Sequence, residues 1–427
     1  MCHRLIAAHP RGRAPRQKAL PAAARKAEAI RSQGGTDVGI SLGLVGLGSF
    51  GSAFAELFKR HPLVDRMALC DYERDRVDRF ASRESWRGKF DPKDAYESLD
   101  DLLASDIEAV ALITQPWLHA DQAVQAMEAG KHVYSAVPIV WLPDGNEILD
   151  WCDRIVQTTR RTGKHYMLGE TTYYRPEAMY CRRRAAEGAF GDFVYAEGEY
   201  YHDVDNPYSN LREVQRAREA SRPGAAWRRL KQEYDARGAV SGPMHYPTHS
   251  TSGPICVMKA HAVKVCCWPY YNRTGDDYFG KEPSNETALF EMSNGATMRI
   301  CEHREIGMIG RETFRVYGTK GSYENDHWCT VQGCAPLALE EMRDPLPAEV
   351  LAAFQEGEEG EGVYGGHGGS HAYLVHEFVD AIAHDRRPVI NAWEAARYMA
   401  AGVTAHQSAL REGEVLAVPD WGDAPEG

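Results

Sequence analysis

Between Leu42 and Asp71 a short apolar run breaks into Gly46-Leu47-Gly48-Ser49-Phe50-Gly51, and a second apolar run ends on a carboxylate. That order is strand, tight glycine turn, helix and second strand, which belongs to a parallel sheet with crossover helices. Gly46 permits the sharp turn, Gly48 lets backbone N–H groups approach a ligand, and Gly51 lets the helix pack closely on the sheet. A helix N-terminus at such a turn suits the pyrophosphate of a dinucleotide. Asp71 stands near the spacing expected for a carboxylate on the adenosine ribose hydroxyls. A free carboxylate there favours NAD over NADP, whose 2′-phosphate would meet a like charge. The cofactor-binding set is therefore Gly46, Gly48, Ser49, Phe50, Gly51 and Asp71. Thr114, after the next apolar run, and His119, at the head of the following helix, join it.

A chain of 427 residues is too long for one ordinary core, so the fingerprint accounts for only part of it. Strand-like runs at Leu42–Val45, Met67–Cys70, Ala109–Ile113, Val133-Tyr134 and Tyr166–Leu168 alternate with helical patterns, among them Arg74–Arg83, Ala120–Ala129 and Asn146–Arg160. This predicts an α/β Rossmann domain with a doubly wound parallel sheet over residues 39–168. Beyond about residue 185, Phe193–Tyr201, Val263–Tyr271, Thr287–Met292, Ala296–Cys301 and Thr313–Tyr317 read as strands, with Asn294-Gly295 as a hairpin turn. They predict a C-terminal α+β domain over residues 169–427, with an open, mostly antiparallel sheet for substrate binding and oligomerisation. An arginine-studded insertion, roughly Asp203–Gly242, separates the first two of them. Residues Gln355–Gly369, with the acidic run Glu356–Glu361, read as a mobile connector. A helix then carries Leu374, Phe378, Ala381 and Ile382 on one face, with Ser370 as its expected cap.

The net charge of −12 argues against a nucleic-acid partner, and no apolar run is long enough to span a bilayer. The ten cysteines form no C-x-x-C pair and suit scattered thiols in a reducing cytoplasm. Residues 1–38 are rich in Ala, Pro and Arg with few acids, and are read as a disordered basic extension. A polyanion-binding arm, an organelle presequence and a start codon placed too early remain alternatives.

Gly46–Gly51, Glu128-Ala129-Gly130-Lys131-His132-Val133 and Gly318-Thr319-Lys320-Gly321-Ser322 together resemble the Gfo/Idh/MocA family of NAD(P)-dependent sugar oxidoreductases, from about Ile40 to Trp421. The resemblance implies a Rossmann domain, an open-sheet domain, and substrate bound between them. Many simple dehydrogenases of that family carry Glu-Lys-Pro after the fifth strand, where the lysine assists proton removal. This chain has Ala136-Val137-Pro138 instead. Gly191–Asp203, Tyr246-Pro247-Thr248-His249 with Gly253-Pro254, and Gly369–Phe378 resemble the NAD-dependent glycosidases of glycoside hydrolase family 109. That branch implies catalytic roles for Tyr246 and His249.

Hydride transfer from a sugar alcohol needs a base for the hydroxyl proton, and His249 is the first candidate. Tyr246 fits a later step at C2 if its pKa is lowered. His371, which follows a run of glycines, is the third catalytic candidate; Tyr173, His202 and Asp203 are substrate-binding candidates. Each has a plainer alternative as a packed or capping side chain. His245 with His249, and His367 with His371, have the spacing of helical metal ligands. Pro247 and Gly368-Gly369 interrupt those helices, so no metal is expected. The arginines Arg212, Arg216, Arg218, Arg228 and Arg229 read as a solvated face, or as one or two cations reaching an acidic substrate. The expected activity is C3 hydride transfer on a pyranoside, leaning to redox-neutral glycoside hydrolysis. A net sugar or cyclitol dehydrogenase and a non-catalytic NAD-binding regulator are the alternatives. The expected partners are a small carbohydrate or glycoside and further copies of the chain, as a dimer or tetramer.

Overall fold

In the computed structural model, residues 39–355 and 360–426 are described. The basic extension at residues 1–38 and part of the acidic run Glu356–Glu361 lie outside them. Six strands, β1 (Ile40–Val45), β2 (Val64–Cys70), β3 (Phe90–Tyr96), β4 (Ala109–Leu112), β5 (His132–Ser135) and β6 (Tyr166–Leu168), form one sheet in the order β3-β2-β1-β4-β5-β6. Every pairing in it is parallel. The order reverses between β1 and β4, and a sheet of this type binds ligands at the C-terminal ends of the strands flanking that reversal. The edge strand β3 goes unpredicted because Pro92, Lys93 and Asp94 interrupt its apolar pattern, features that suit an edge. Asp94 is buried there and held by Arg66.

Helix α1 (Ser49–Arg60) follows β1 and buries Phe54 and Phe58. Both rings pack near Tyr134, 6.0 and 5.8 Å between centroids, and Tyr134 meets Phe378 at 5.7 Å. Burial of each such ring contributes about 1.5–3 kcal/mol, so this aromatic column fixes the helix on the sheet. Helix α2 (Gly145–Thr162) begins with the Asp144 side chain accepting from Asn146 N and Glu147 N, and ends at Gly163 in the left-handed region.

The second sheet has nine strands: β7 (Phe193–Tyr201), β8 (Ala262–Tyr271), β9 (Pro283–Met292), β10 (Thr297–His303), β11 (Arg311–Gly318), β12 (Ser322–Glu324), β13 (His327–Thr330), β14 (Gly333–Pro336) and β15 (Leu416–Ala417). Their order is β14-β13-β12-β11-β7-β10-β9-β8-β15, antiparallel throughout except for β7 with β10. The insertion folds into helices α3 (Leu211–Ala220) and α4 (Gly224–Ala236). Helix α5 (Thr248–Met258) is buried along its whole length. It lies so close to β7 that a Cβ on Gly198 would sit 1.9 Å from the Ser250 carbonyl oxygen. Helices α6 (Gly366–Ala383) and α7 (Ala392–Ala409) complete the packing. Leu374, Phe378, Ala381 and Ile382 are buried as the pattern predicted. Ser370 does not cap α6; its hydroxyl is buried without a partner.

Cys329 and Cys334 form a disulfide, contrary to the expectation of scattered thiols, because the β13–β14 hairpin sets them directly opposite each other. The other described cysteines are free. No helix among the described residues is long and apolar enough to cross a membrane.

Candidate active site

The glycine turn leaves β1 with Gly46 at φ +92°, where a Cβ would lie 2.2 Å from the Ile113 carbonyl oxygen. At Gly51 a Cβ would lie 1.9 Å from the Gly46 carbonyl oxygen. The protein's own packing therefore demands both glycines. Gly48 differs, since a Cβ there would meet nothing within 4 Å. It begins α1 in an extended conformation, without a side-chain cap and with no acid in the first turn, so the leading N–H groups face an open cradle of positive potential. These residues fit a dinucleotide pyrophosphate, and at Gly48 the protein itself leaves the space open. Phe50 is partly exposed beside this turn.

Asp71 follows β2 but is not the open carboxylate expected from sequence. It accepts Leu47 N at 2.7 Å and Glu73 N at 2.9 Å, and the Arg76 guanidinium lies 3.4 Å away. The carboxylate thus ties the turn to the second strand. Thr114 donates to Gln122 at 2.6 Å. His119 is buried, with its two ring nitrogens 3.0 and 3.2 Å from the carbonyls of Pro138 and Thr114. Burial lowers it to about 4, which makes it a neutral brace for the loops after β4 and β5.

Across the chain, His249 occupies the first turn of α5. Its Nδ1 is 3.0 Å from Glu170 and 3.6 Å from Glu312. Glu170 follows β6, at the C-terminal edge of the parallel sheet; Glu312 arrives on β11. Thr172 Oγ1 donates to Glu312 at 2.8 Å, and Arg175 lies 2.6 Å from the same carboxylate. Burial pulls the imidazole down, but the two carboxylates more than offset it and raise His249 to about 9. Burial alone would raise Glu170, yet the imidazolium and the surrounding donors bring it down to about 2. An Nδ1 committed to Glu170 leaves Nε2 as the exchangeable position of the ring. The two carboxylates and His249 offer ligand atoms within 4.8 Å of one another. Arg175 and the imidazolium already balance their charge.

Tyr246 lies 5.6 Å from His249 between ring centroids, and its hydroxyl donates to the Val137 carbonyl at 3.3 Å. Burial pushes its phenol up to about 12, so Tyr246 is a proton donor near neutral pH, and the lowered pKa required for a C2 base is not found. Tyr200, 5.0 Å from His249, donates to or accepts from His202 Nδ1 at 2.7 Å. Tyr200, His202 and Tyr246 line a cavity of about 210 Å³ closed by α3, α4 and the loops bearing Trp117 and Trp141.

The remaining candidates stand elsewhere. His371 packs 4.4 Å from Phe54 and bonds His367 at 2.9 Å; burial lowers it to about 3. His367, not His371, faces His249, at 6.4 Å between rings. Tyr173 is covered by Arg182 at 3.7 Å and lines a different cavity. Asp203 spends its carboxylate on the amides of Asp205, Ile306 and Gly307. His245 bonds the Leu142 carbonyl at 3.0 Å, remote in role from His249. Glu170, Glu312 and Tyr200 were missed. Of these, Glu170 carried a readable signal, since it is a carboxylate at the C-terminal end of a parallel strand.

The family described as "Oxidoreductase family, NAD-binding Rossmann fold" matches residues 40–170, which accordingly form an NAD-binding domain. A protein of Shewanella sp. (strain W3-18-1) named "Glycosyl hydrolase family 109 protein" is 29% identical over 170 residues, 39% of this chain and 36% of that relative. The chain thus spans about a third of that relative's length. A protein of the same name from Stenotrophomonas maltophilia is 24% identical over 414 residues, covering 90% of this chain and 89% of its own. Among solved structures, scyllo-inositol dehydrogenase from Lactobacillus casei with bound NAD(H) and scyllo-inositol superposes with a TM-score of 0.61 at 16% identity, over 89% of this chain and 99% of the other. That likeness is one of fold.

Proposed function

This chain carries, over residues 40–170, the NAD-binding Rossmann domain of the Gfo/Idh/MocA oxidoreductase family, and from that premise we propose that it hydrolyses a pyranoside through hydride exchange at C3. The observation that carries the reading is the pairing of His249 with Glu170 beside a Tyr246 hydroxyl lying on Val137, where a simple dehydrogenase of the family has its lysine. When bound, NAD supplies reversible hydride exchange with a carbinol carbon.

The chain's residues do the proton work. His249, oriented through Nδ1, takes the C3 hydroxyl proton at Nε2. Tyr246, held protonated, donates to a sugar oxygen and steadies its developing charge. With a carbonyl at C3, the C2 proton is acidic. Its loss forms a C1–C2 double bond as the C1–O bond to the leaving group breaks, and the departing oxygen takes up a proton, so that one alcohol is released for the one C2 proton lost. Water then adds across that bond, hydroxyl to C1 and proton to C2, and restoration of the C3 alcohol leaves net consumption of one water. The names of the Shewanella and Stenotrophomonas relatives support this reading. The shared fold with an inositol dehydrogenase favours the second reading, net oxidation of a sugar or cyclitol.

One assay separates them. Purified protein with catalytic NAD and a panel of aryl glycosides is followed for aglycone release and nicotinamide absorbance together. Many aglycone turnovers without NADH accumulation are expected; stoichiometric NADH without cleavage overturns hydrolysis. Trp268, Tyr270 and Leu289, exposed on one face of the second sheet, support a homo-oligomer, which sedimentation analysis tests.

A further inference from the structure

The wall of the cavity next to Tyr246 carries Arg218, a guanidinium without a carboxylate partner among the described residues. Arg218 lies on the last turn of α3 and lines the cavity with Tyr200, Tyr246 and Tyr278. Its guanidinium makes no ion pair and no side-chain hydrogen bond among the described residues, and the groups acting on it electrostatically are those three tyrosines. Burial lowers its pKa, yet a guanidinium stays charged in a protein.

The other arginines nearby are matched. Arg304, also on the cavity wall, pairs with Glu302 at 2.7 Å. Arg212, one turn and a half earlier on α3, is held by Asp205 and Asp276. Of the acids on the wall, Glu219 accepts from Gln215 at 2.9 Å, and Glu282, raised by burial, bonds the Ser241 side chain; Lys231 is a further cation of the wall. Arg218 is half-buried, so its charge is only partly hydrated and an entering anion would pair with it. Arg218 presents the planar fork that suits an oxyanion.

We infer that the substrate is an anionic pyranoside, bearing a carboxylate or a sulfate that Arg218 holds at the end of the cavity away from His249. The inference rests on the pyranoside reading above and adds the class of sugar. Tyr246 links the two groups: it lines the cavity with Arg218 and lies 5.6 Å from the His249 ring between centroids. Trp117 and Trp227, stacked at 4.7 Å with 14° between planes, wall the cavity and keep water from screening the anion.

The test uses the full chain saturated with NAD and calorimetric titration of three methyl hexopyranosides: neutral, 6-carboxylate and 6-sulfate. At least one anionic sugar is expected to bind about 30-fold more tightly than the neutral one. Arg218→Ala should remove that advantage, weakening the anionic sugar about 30-fold and the neutral sugar much less, while Arg218→Lys restores part of it. Which anionic sugar binds better distinguishes uronate from sulfate ester. Equal binding of neutral and anionic sugars, or an equal loss for both in Arg218→Ala, overturns the anionic class and leaves the pyranoside reading standing. If none of the three binds to protein shown to hold NAD, both readings fall.

Discussion

The hydroxyl of Tyr246 donates to the carbonyl of Val137 at 3.3 Å, closing a contact between segments 109 residues apart in the chain. The tyrosine comes from the segment before α5, and the valine from the loop after β5. In the proposed reaction this phenol gives a hydrogen bond to sugar oxygen. Tyr246→Phe keeps the ring and loses the donor, so kcat should fall about 100-fold. NAD affinity, measured by fluorescence titration, should stay within a factor of two or so of wild type. Full activity in Tyr246→Phe would remove the phenol from the mechanism.

The pairing of His249 with Glu170 sets a pH dependence. With His249 raised to about 9, its basic form is the minority below that pH. If it accepts the hydroxyl proton, kcat/KM rises with pH and levels above about 9. Glu170→Gln removes the nearest carboxylate, so the inflection should move acidward toward the ordinary imidazole range near 6.5, with a lower plateau. An inflection that stays in place would separate it from this histidine.

The same contact bears on stability. A folded-state pKa above the unfolded one means that the protonated histidine stabilises the fold fully below about pH 6.5, and that this is lost as pH rises through about 9. The Tm difference between wild type and His249→Gln should therefore be largest on the acid side of pH 6.5 and shrink toward pH 9. Glu170 reports the His249 contact from its other end, and its bond from Thr172 N adds a further contribution that is lost as pH falls through the carboxylate range.

The glycine turn gives a contrast between binding and folding. Gly48→Val adds bulk where nothing lies within 4 Å, so it should weaken NAD binding by about tenfold or more with little change in Tm. Gly51→Ala pushes a methyl against the Gly46 carbonyl oxygen and should cost about 1–3 kcal/mol of stability. Thermal melts without NAD, alongside NAD titrations, read the two effects separately. A large Tm loss in Gly48→Val would contradict the assignment.

Phe54 packs on Phe58 within α1 and joins that helix to Tyr134 and His371. Phe54→Ala should destabilise by about 3–5 kcal/mol in denaturant unfolding, with NAD affinity impaired as the helix start loosens.

The parallel sheet was readable because its strands are short apolar runs separated by helices, and because Gly46–Gly51 leaves few alternatives. Strand β3 was not readable, since an edge strand tolerates Pro92 and charged neighbours that a central strand would reject. In the candidate site, Tyr246 and His249 were picked out by the resemblance of Tyr246-Pro247-Thr248-His249 to the glycosidase branch. Glu312 was not, because the register of β11 on β7 carries it from 140 residues away to the Thr172 hydroxyl. Asp203 and His119 had the residue types of a site, yet their polar atoms are spent on the backbone. A polar side chain's identity says what it can bond, and only the fold says whether something else already claims it.

The helical insertion supplies Arg218 and Trp227 to the cavity and no member of the Glu170–His249–Glu312 cluster. On the proposed reading, recognition and reactivity reside on separable lengths of polypeptide. Exchange of the two helices α3 and α4 alone would give a relative a new diet while leaving Glu170, Tyr246, His249 and Glu312 in place.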